Sequence, residues 1–183
     1  IVVPGRLDQG AMLAPNFAGL SYLKEEDCVR LRTVPGVRLA IPLTFAGGGI
    51  TSGKNSSSMT FIIAANHEWF QIHPVQMAEG RTYEEADQNQ AVAVIGTVAK
   101  KNLFGEKKSA VGEKVMINGS AYKVLGVIKD KEGESSMFSQ GGLQNVAYIP
   151  HTYLKSRVEN IQINRIMVQT RPDIEPKSLL KAV

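Results

Sequence analysis

Apolar positions recur along this chain mostly in short alternating runs, separated by two stretches of helical period and by glycine-rich punctuation. Leu23 to Val34 carries Glu25, Glu26 and Asp27 in its first turns, favourable to a helix dipole, and Pro35-Gly36 follows, which predicts a helix there. Val37, Leu39 and Ile41 then alternate as a strand, and the polar, glycine-rich stretch 47–57 reads as a connection to a second strand around Met59 to Ala65. The most informative segment runs from Asn89 to Asp130. Val92, Val94 and Ile95 form a β-prone run, Gly96 and Thr97 break it, and Val98 to Phe104 predicts a helix closed by Gly105. Val115 and Ile117 alternate up to Asn118-Gly119, a strong short-range hairpin signal, and Tyr122, Val124 and Leu125 run back. Later, Tyr148-Ile149-Pro150 ends a strand, His151 to Val158 suits a helix, Ile161 to Val168 a strand, and Ile174 onward a further helix. Ile1 to Val3 is strand-like and Leu7 to Gly19 reads as loop.

Composition agrees with a packed body. Among 183 residues 43% are hydrophobic and 21% charged, which argues against disorder. A chain of this length buries roughly 70% of the surface its unfolded form exposes. The 21 Lys and Arg exceed the 17 Asp and Glu, but residues 76–150 carry nine of each sign, so no basic face of the kind nucleic acid requires is marked. The chain opens without Met on a strand and closes in a helix-like run, and its richest apolar window is only Phe61 to Ala65. That is the pattern expected of a soluble domain excised between two membrane helices, and a processed secreted protein would show the same missing Met.

Candidate chemistry is sparse. Gly48, Gly53 and Lys54 match a phosphate-loop spacing, but Asn55 stands where a Ser or Thr hydroxyl would hold magnesium, and a β-prone run follows instead of a helix, so a hairpin loop is expected. His67, His73 and His151 lack close ligand spacing and read as surface or capping residues. Thr82 and Glu85 fit a capping box before a short helix. Cys28 reads as a small buried apolar residue, and Trp69, Phe70 and Tyr83 as core. No G-x-S-x-G elbow supports a hydrolase. One loop differs: Lys131 to Gln144 sets Met137 and Phe138 side by side among polar residues, and two large apolar side chains there must fold back or dock on a partner. Met137 and Phe138 are therefore the candidate partner contacts.

The order AVAVIG, TVAKKNLFG, AVGEKVMING, YKVLGVI and VAYIP resembles the extracytoplasmic core domain of MacB-like ABC transporter permeases, relatives of the FtsX and lipoprotein-releasing permeases. Upstream, Asn66-His67-Glu68-Trp69-Phe70 and Glu79-Gly80-Arg81 are similar to that family's aromatic pair and E-G-R turn, and the helix LKEEDCVRLRTVPGV fits as well. The likeness runs from Leu23 to about Thr170.

This resemblance implies an α+β fold: a porter-like α/β subdomain from residues 1–74 plus 147–183, with a smaller β-rich inserted (Sabre-like) subdomain over 75–146. It implies no catalytic residues, no cofactor and no metal. ATP hydrolysis is expected on a separate or fused cytoplasmic ATPase. The expected partners are that ATPase, a second permease copy in a dimer, and a periplasmic adaptor, which with the second copy is a candidate for contacting Met137 and Phe138. Nucleic acid is not expected. The full-length protein would be embedded in the inner or plasma membrane with this domain periplasmic or extracellular. Its role would be export or mechanotransmission, with an envelope sensor in peptide or antibiotic resistance as the alternative.

Overall fold

Sixteen consecutive residues, Val37–Ser52, form a single strand, β1, to which most of the other elements are attached. In a computed structural model of the chain, which describes residues 23–106, 108–129 and 145–179, β1 follows helix α1 (Glu25–Thr33) and turns directly into β2 (Asn55–Ala65). Stretch 47–57 is therefore mostly strand rather than connection, and only Gly53-Lys54 turn, with Ser52 paired to Asn55 and Gly53 at φ 59°. Polarity misleads here because Gly47, Gly49 and Thr51 occupy the outward positions of an alternating strand whose inward residue, Ile50, is fully buried.

The remaining elements are α2 (Trp69–Ile72), β3 (Met77–Gly80), β4 (Val92–Gly96), α3 (Thr97–Phe104), β5 (Lys114–Ile117), β6 (Ser120–Ile128), β7 (Val146–Pro150), α4 (His151–Lys155) and β8 (Arg165–Thr170). The predicted core segment appears as read. Gly96 precedes α3, Gly105 ends it at φ 76°, and the β5–β6 hairpin turns on Asn118 and Gly119 at φ 47° and 81°. The fold is α+β with a mixed sheet: β2–β7 and β4–β6 run parallel, the other pairs antiparallel.

The hydrogen-bonded ladder closes on itself. From β1 it passes to β2, β7, β4, β6 and β5, and returns to β1 through Ile50 opposite Ile117 and Thr51 opposite Met116. Strands from 75–146 thus interleave in one ring with strands from the two flanking spans. Each ring strand sends residues into one cluster: Ile50, Ile62, Ile95, Val115, Tyr122 and Ile149 meet Ala99 and Leu103 of α3, so α3 lies against the inner face. A bulge at Leu125, opposite Ala93 and Val94, lets both Val124 and Val127 point inward.

Two further clusters lie outside the ring. Ile63, Val94 and Tyr148 are covered by Trp69 of α2 and by Tyr83, whose hydroxyl donates to the carbonyls of Ala65 at 2.9 Å and Ile149 at 3.3 Å. At the other end of β1, β8 pairs with 37–43, and α1 packs Cys28 and Leu31 on Ala40, Ile163 and Ile166. The strand expected at Ile161 begins only at Arg165, because Asn164 takes over the end of the ladder: its side-chain oxygen accepts from the Phe45 N–H at 2.8 Å. Helix α4 is shorter than the sequence suggests, and among the described residues after Ile174 a 3₁₀ turn forms at Pro176–Leu179.

Candidate interaction surface

The E-G-R turn fastens β3 to three other parts of the body. Glu79 accepts from the Ala110 N–H at 3.0 Å and the Ser109 hydroxyl at 2.8 Å, and faces Lys100 Nζ at 3.5 Å. Burial raises its carboxyl's pKa, but these hydrogen bonds and Lys100 outweigh that and leave it net below the usual carboxylate value. Lys100, itself buried on α3, also donates to the Glu106 carbonyl at 2.6 Å, so one ammonium joins helix end, loop and β3. Gly80 sits at φ 63° opposite Gly126, where the two backbones are in close approach. Arg81 grips Asp87 through two nitrogens, at 2.6 and 3.2 Å. The Arg81 hydrogen bonds hold the Asp87 carboxyl below its ordinary pKa against the opposing effect of burial.

Asp87 also accepts the Glu84 N–H at 2.9 Å, so the cap of the short 3₁₀ helix Glu85–Asp87 is built from Glu84 and Asp87 rather than from Thr82 and Glu85. The bidentate arginine fixes which carboxylate is used. Trp69, Phe70 and Tyr83 pack as core: Phe70 meets Tyr83 edge-on at 5.0 Å and Tyr148 at 5.5 Å. His73 stacks on Trp69, and His67 Nδ1 lies 3.2 Å from Glu68. His151 is not a surface residue. It is buried at the start of α4, and desolvation pushes its imidazole below the usual value. Cys28 is buried too, its thiol pushed up to about 11, which leaves it protonated and unreactive at neutral pH.

Asn55, at the position where a phosphate loop needs a hydroxyl, donates instead to the Leu103 carbonyl at 2.8 Å and ties the β1–β2 hairpin to the end of α3. Among the described residues no three of His, Cys, Asp and Glu come together as a metal site, and no helix is long and apolar enough to cross a membrane. Met137 and Phe138 lie outside the described residues. The chain resumes at Asn145, which donates to Ser57 Oγ and to the Ser58 carbonyl, both at 2.9 Å. Those contacts hold it against a β2 bulge where Met59 stands at φ 52° with 90% of its surface exposed.

A bare part of the outer sheet face begins near this bulge. Thr51, Met116 and Ala121 are neighbours across β1, β5 and β6, and on the next row Lys114 stands directly opposite Lys123. All five are exposed, as are Gly47 and Gly49 on the same side of β1. Like charges directly opposed across a ladder oppose pairing, and no carboxylate among the described residues forms an ion pair with either lysine. Gly48 has a local reason to lack a side chain, since a Cβ would collide with Asn118, whereas a Cβ on Gly47 would meet nothing within 4 Å. Sequence reasoning missed this face because its signal, alternation of Lys114, Met116, Ala121 and Lys123 with buried Val115, Ile117 and Tyr122, becomes a surface only once the two strands are paired.

A family model described as the MacB-like periplasmic core domain matches residues 1–183. A pyoverdine export ATP-binding/permease protein of Pseudomonas entomophila is 29% identical over 113 residues, 60% of this chain and 17% of that protein. The macrolide export ATP-binding/permease protein MacB of Haemophilus ducreyi is 26% identical over 166 residues, 88% of this chain and 23% of that protein. The chain thus spans about a fifth of the length of such relatives. In fold, it is similar to the periplasmic region of MacB from Actinobacillus actinomycetemcomitans, with TM-score 0.73 at 21% identity, covering 87% of this chain and 70% of that one. The extracellular domain of the Gram-positive transporter YknZ matches with TM-score 0.71 at 22% identity over 87% of this chain and 77% of that one.

Proposed function

Because the chain belongs to the MacB-like periplasmic core domain family, we propose that it relays ATPase-driven motion of a membrane-embedded permease to substrates or partner proteins outside the membrane. The observation that carries this reading is the continuity of β1. Its 16 residues extend about 50 Å at the usual strand rise, from the α1–β8 end through the closed ring to the Gly53-Lys54 turn. A displacement applied at one end of such a strand reaches the other without crossing a flexible joint. The fasteners at Glu79, Lys100 and Arg81 support the same role, since each joins two elements that would otherwise slide.

In this reading, ATP is hydrolysed on a cytoplasmic subunit or domain. The permease acts as a pair of copies, and an adaptor in the envelope meets the outward surface, with Met137 and Phe138 as contacts. The domain contributes shape and stiffness, not bond-making chemistry. The test is made in the full-length permease with its ATPase: residues 23–179 are replaced by a flexible linker, and ATP hydrolysis and substrate export are measured side by side. Hydrolysis that persists with export abolished is the expected result. Export retained at the parental rate would overturn the proposal.

A further inference from the structure

We propose that the bare face of β1, β5 and β6 takes an extended acidic segment of a partner protein, whose carboxylates pair with Lys114 and Lys123 while an apolar side chain covers Met116. Three observations converge on this occupant. First, Lys114 and Lys123 are exposed and directly opposed, and neither forms an ion pair with a carboxylate among the described residues, so two positive charges share this patch. Elsewhere on the described surface lysines do meet carboxylates of the chain, as Lys101 with Glu106 at 2.7 Å and Lys108 with Glu113 at 2.8 Å. A carboxylate from outside relieves the mutual repulsion of the two ammonium groups.

Second, Met116 is 40% exposed on the same face, next to the lysine row. An unbranched thioether is a compliant apolar contact, and it adapts to side chains of differing shape. Third, the surroundings are low: Gly47, Gly49 and Ala121 leave space above the sheet, and nothing in the described chain requires Gly47 to lack a side chain. A glycine in a strand interior costs stability, and one use that offsets this is close approach by another backbone. An extended segment with an acidic and an apolar residue two positions apart, and so on one side, matches Lys114 and Met116, which are two apart on the exposed face of β5.

This inference rests on the charge pattern and not on the relay reading, and the two fail separately. The probe is a labelled ten-residue peptide with glutamate and leucine in turn at every second position and serine between them, titrated against the 183-residue chain by fluorescence anisotropy at low and high salt. The expected result is saturable binding that weakens with salt and falls about tenfold or more in Lys114→Glu/Lys123→Glu. Lys114→Gln/Lys123→Gln should fall by an intermediate factor, and Met116→Ser should weaken binding without changing the salt slope. Thermal unfolding of each variant checks that the fold is intact. Absence of binding, or equal binding by the charge-reversed variant, overturns the proposal. Binding to vesicles containing phosphatidylglycerol, lost on charge reversal while the peptide remains unbound, would assign the face to an anionic membrane and also overturn it. In the full-length permease, export unaffected by Lys114→Glu/Lys123→Glu but lost with the 23–179 linker would leave the relay standing without this docking site.

Discussion

Gly80 gives the sharpest test of how the body is fastened. In Gly80→Ala the new Cβ would overlap the Leu125 carbonyl and come within 2.9 Å of Val111 Cγ2, at a backbone φ of 63° that disfavours any side chain. The left-handed conformation costs about 1 kcal/mol. Relieving the overlap requires β3 to part from β6, which sacrifices the Arg81 N–H to Leu125 carbonyl bond of 3.2 Å, worth about another 1 kcal/mol, together with packing beneath it. A total of about 3 kcal/mol is expected, a large share of the 5–15 kcal/mol typical of folded domains. Urea unfolding followed by fluorescence is a direct assay, because the chain has one tryptophan and Trp69 is buried beside this region. With a urea slope of about 2 kcal/mol per molar, the midpoint should drop by about 1.5 M. Gly126→Ala should behave alike, since its Cβ would meet Met77 Cε at 2.5 Å and the Arg81 nitrogen at 2.9 Å; the double variant should lose less than the sum, because both changes force apart the same contact. Gly47→Ala is the control: it meets nothing within 4 Å and should be neutral or stabilising by up to about 1 kcal/mol. If Gly80→Ala unfolds within about 0.5 kcal/mol of Gly47→Ala, the close-approach argument is wrong.

Three further outcomes concern Arg81, His151 and Met59. Arg81→Ala should destabilise by about 1 kcal/mol at pH 7, discounted because the arginine is half exposed. Asp87 has its pKa lowered in the fold, so this increment is present above its unfolded value of about 3.9 and disappears as pH falls through the folded value, below which urea midpoints for both proteins should converge. His151 is buried with its pKa lowered, so protonation favours the unfolded chain, and stability should be full above about pH 6.5 and decline as pH falls through the folded value; in His151→Gln the difference between pH 7.5 and pH 5 should shrink, and an unchanged difference would remove His151 as its source. Met59→Gly should raise the midpoint by about 0.5–1 kcal/mol in free energy, because it relieves φ 52° and gives up an almost fully exposed side chain.

Local structure was readable from the residues wherever one short-range rule decided the outcome. Gly105 closing α3, Asn118-Gly119 turning the hairpin and Glu25–Asp27 opening α1 are conformational preferences that act within a few residues. The stretch 47–57 misread because glycine and serine mark turns in isolation, while a ladder with β2 on one side and β5 at one end gives them a strand's hydrogen bonds. The capping box misread by two positions because Arg81 selects Asp87, a contact that spacing alone does not rank above Thr82 with Glu85. His151 looked solvent-exposed because its own polarity masks the burial signalled by the apolar strand Val146–Pro150 that runs directly into it. The bare lysine face was illegible for the same reason as the ring: both depend on which strands lie side by side.

Closure of the ring through only two residue pairs, Ile50 with Ile117 and Thr51 with Met116, makes the body mechanically anisotropic. Tension along β1 loads its long ladders to β2 and β8 in shear, so many hydrogen bonds must yield together. Tension that lifts the Asn118-Gly119 tip away from β1 loads a two-rung seam in peeling, one rung after the other. A load along β1 is therefore resisted by many hydrogen bonds at once, whereas a load that draws the hairpin sideways meets only the two-rung seam.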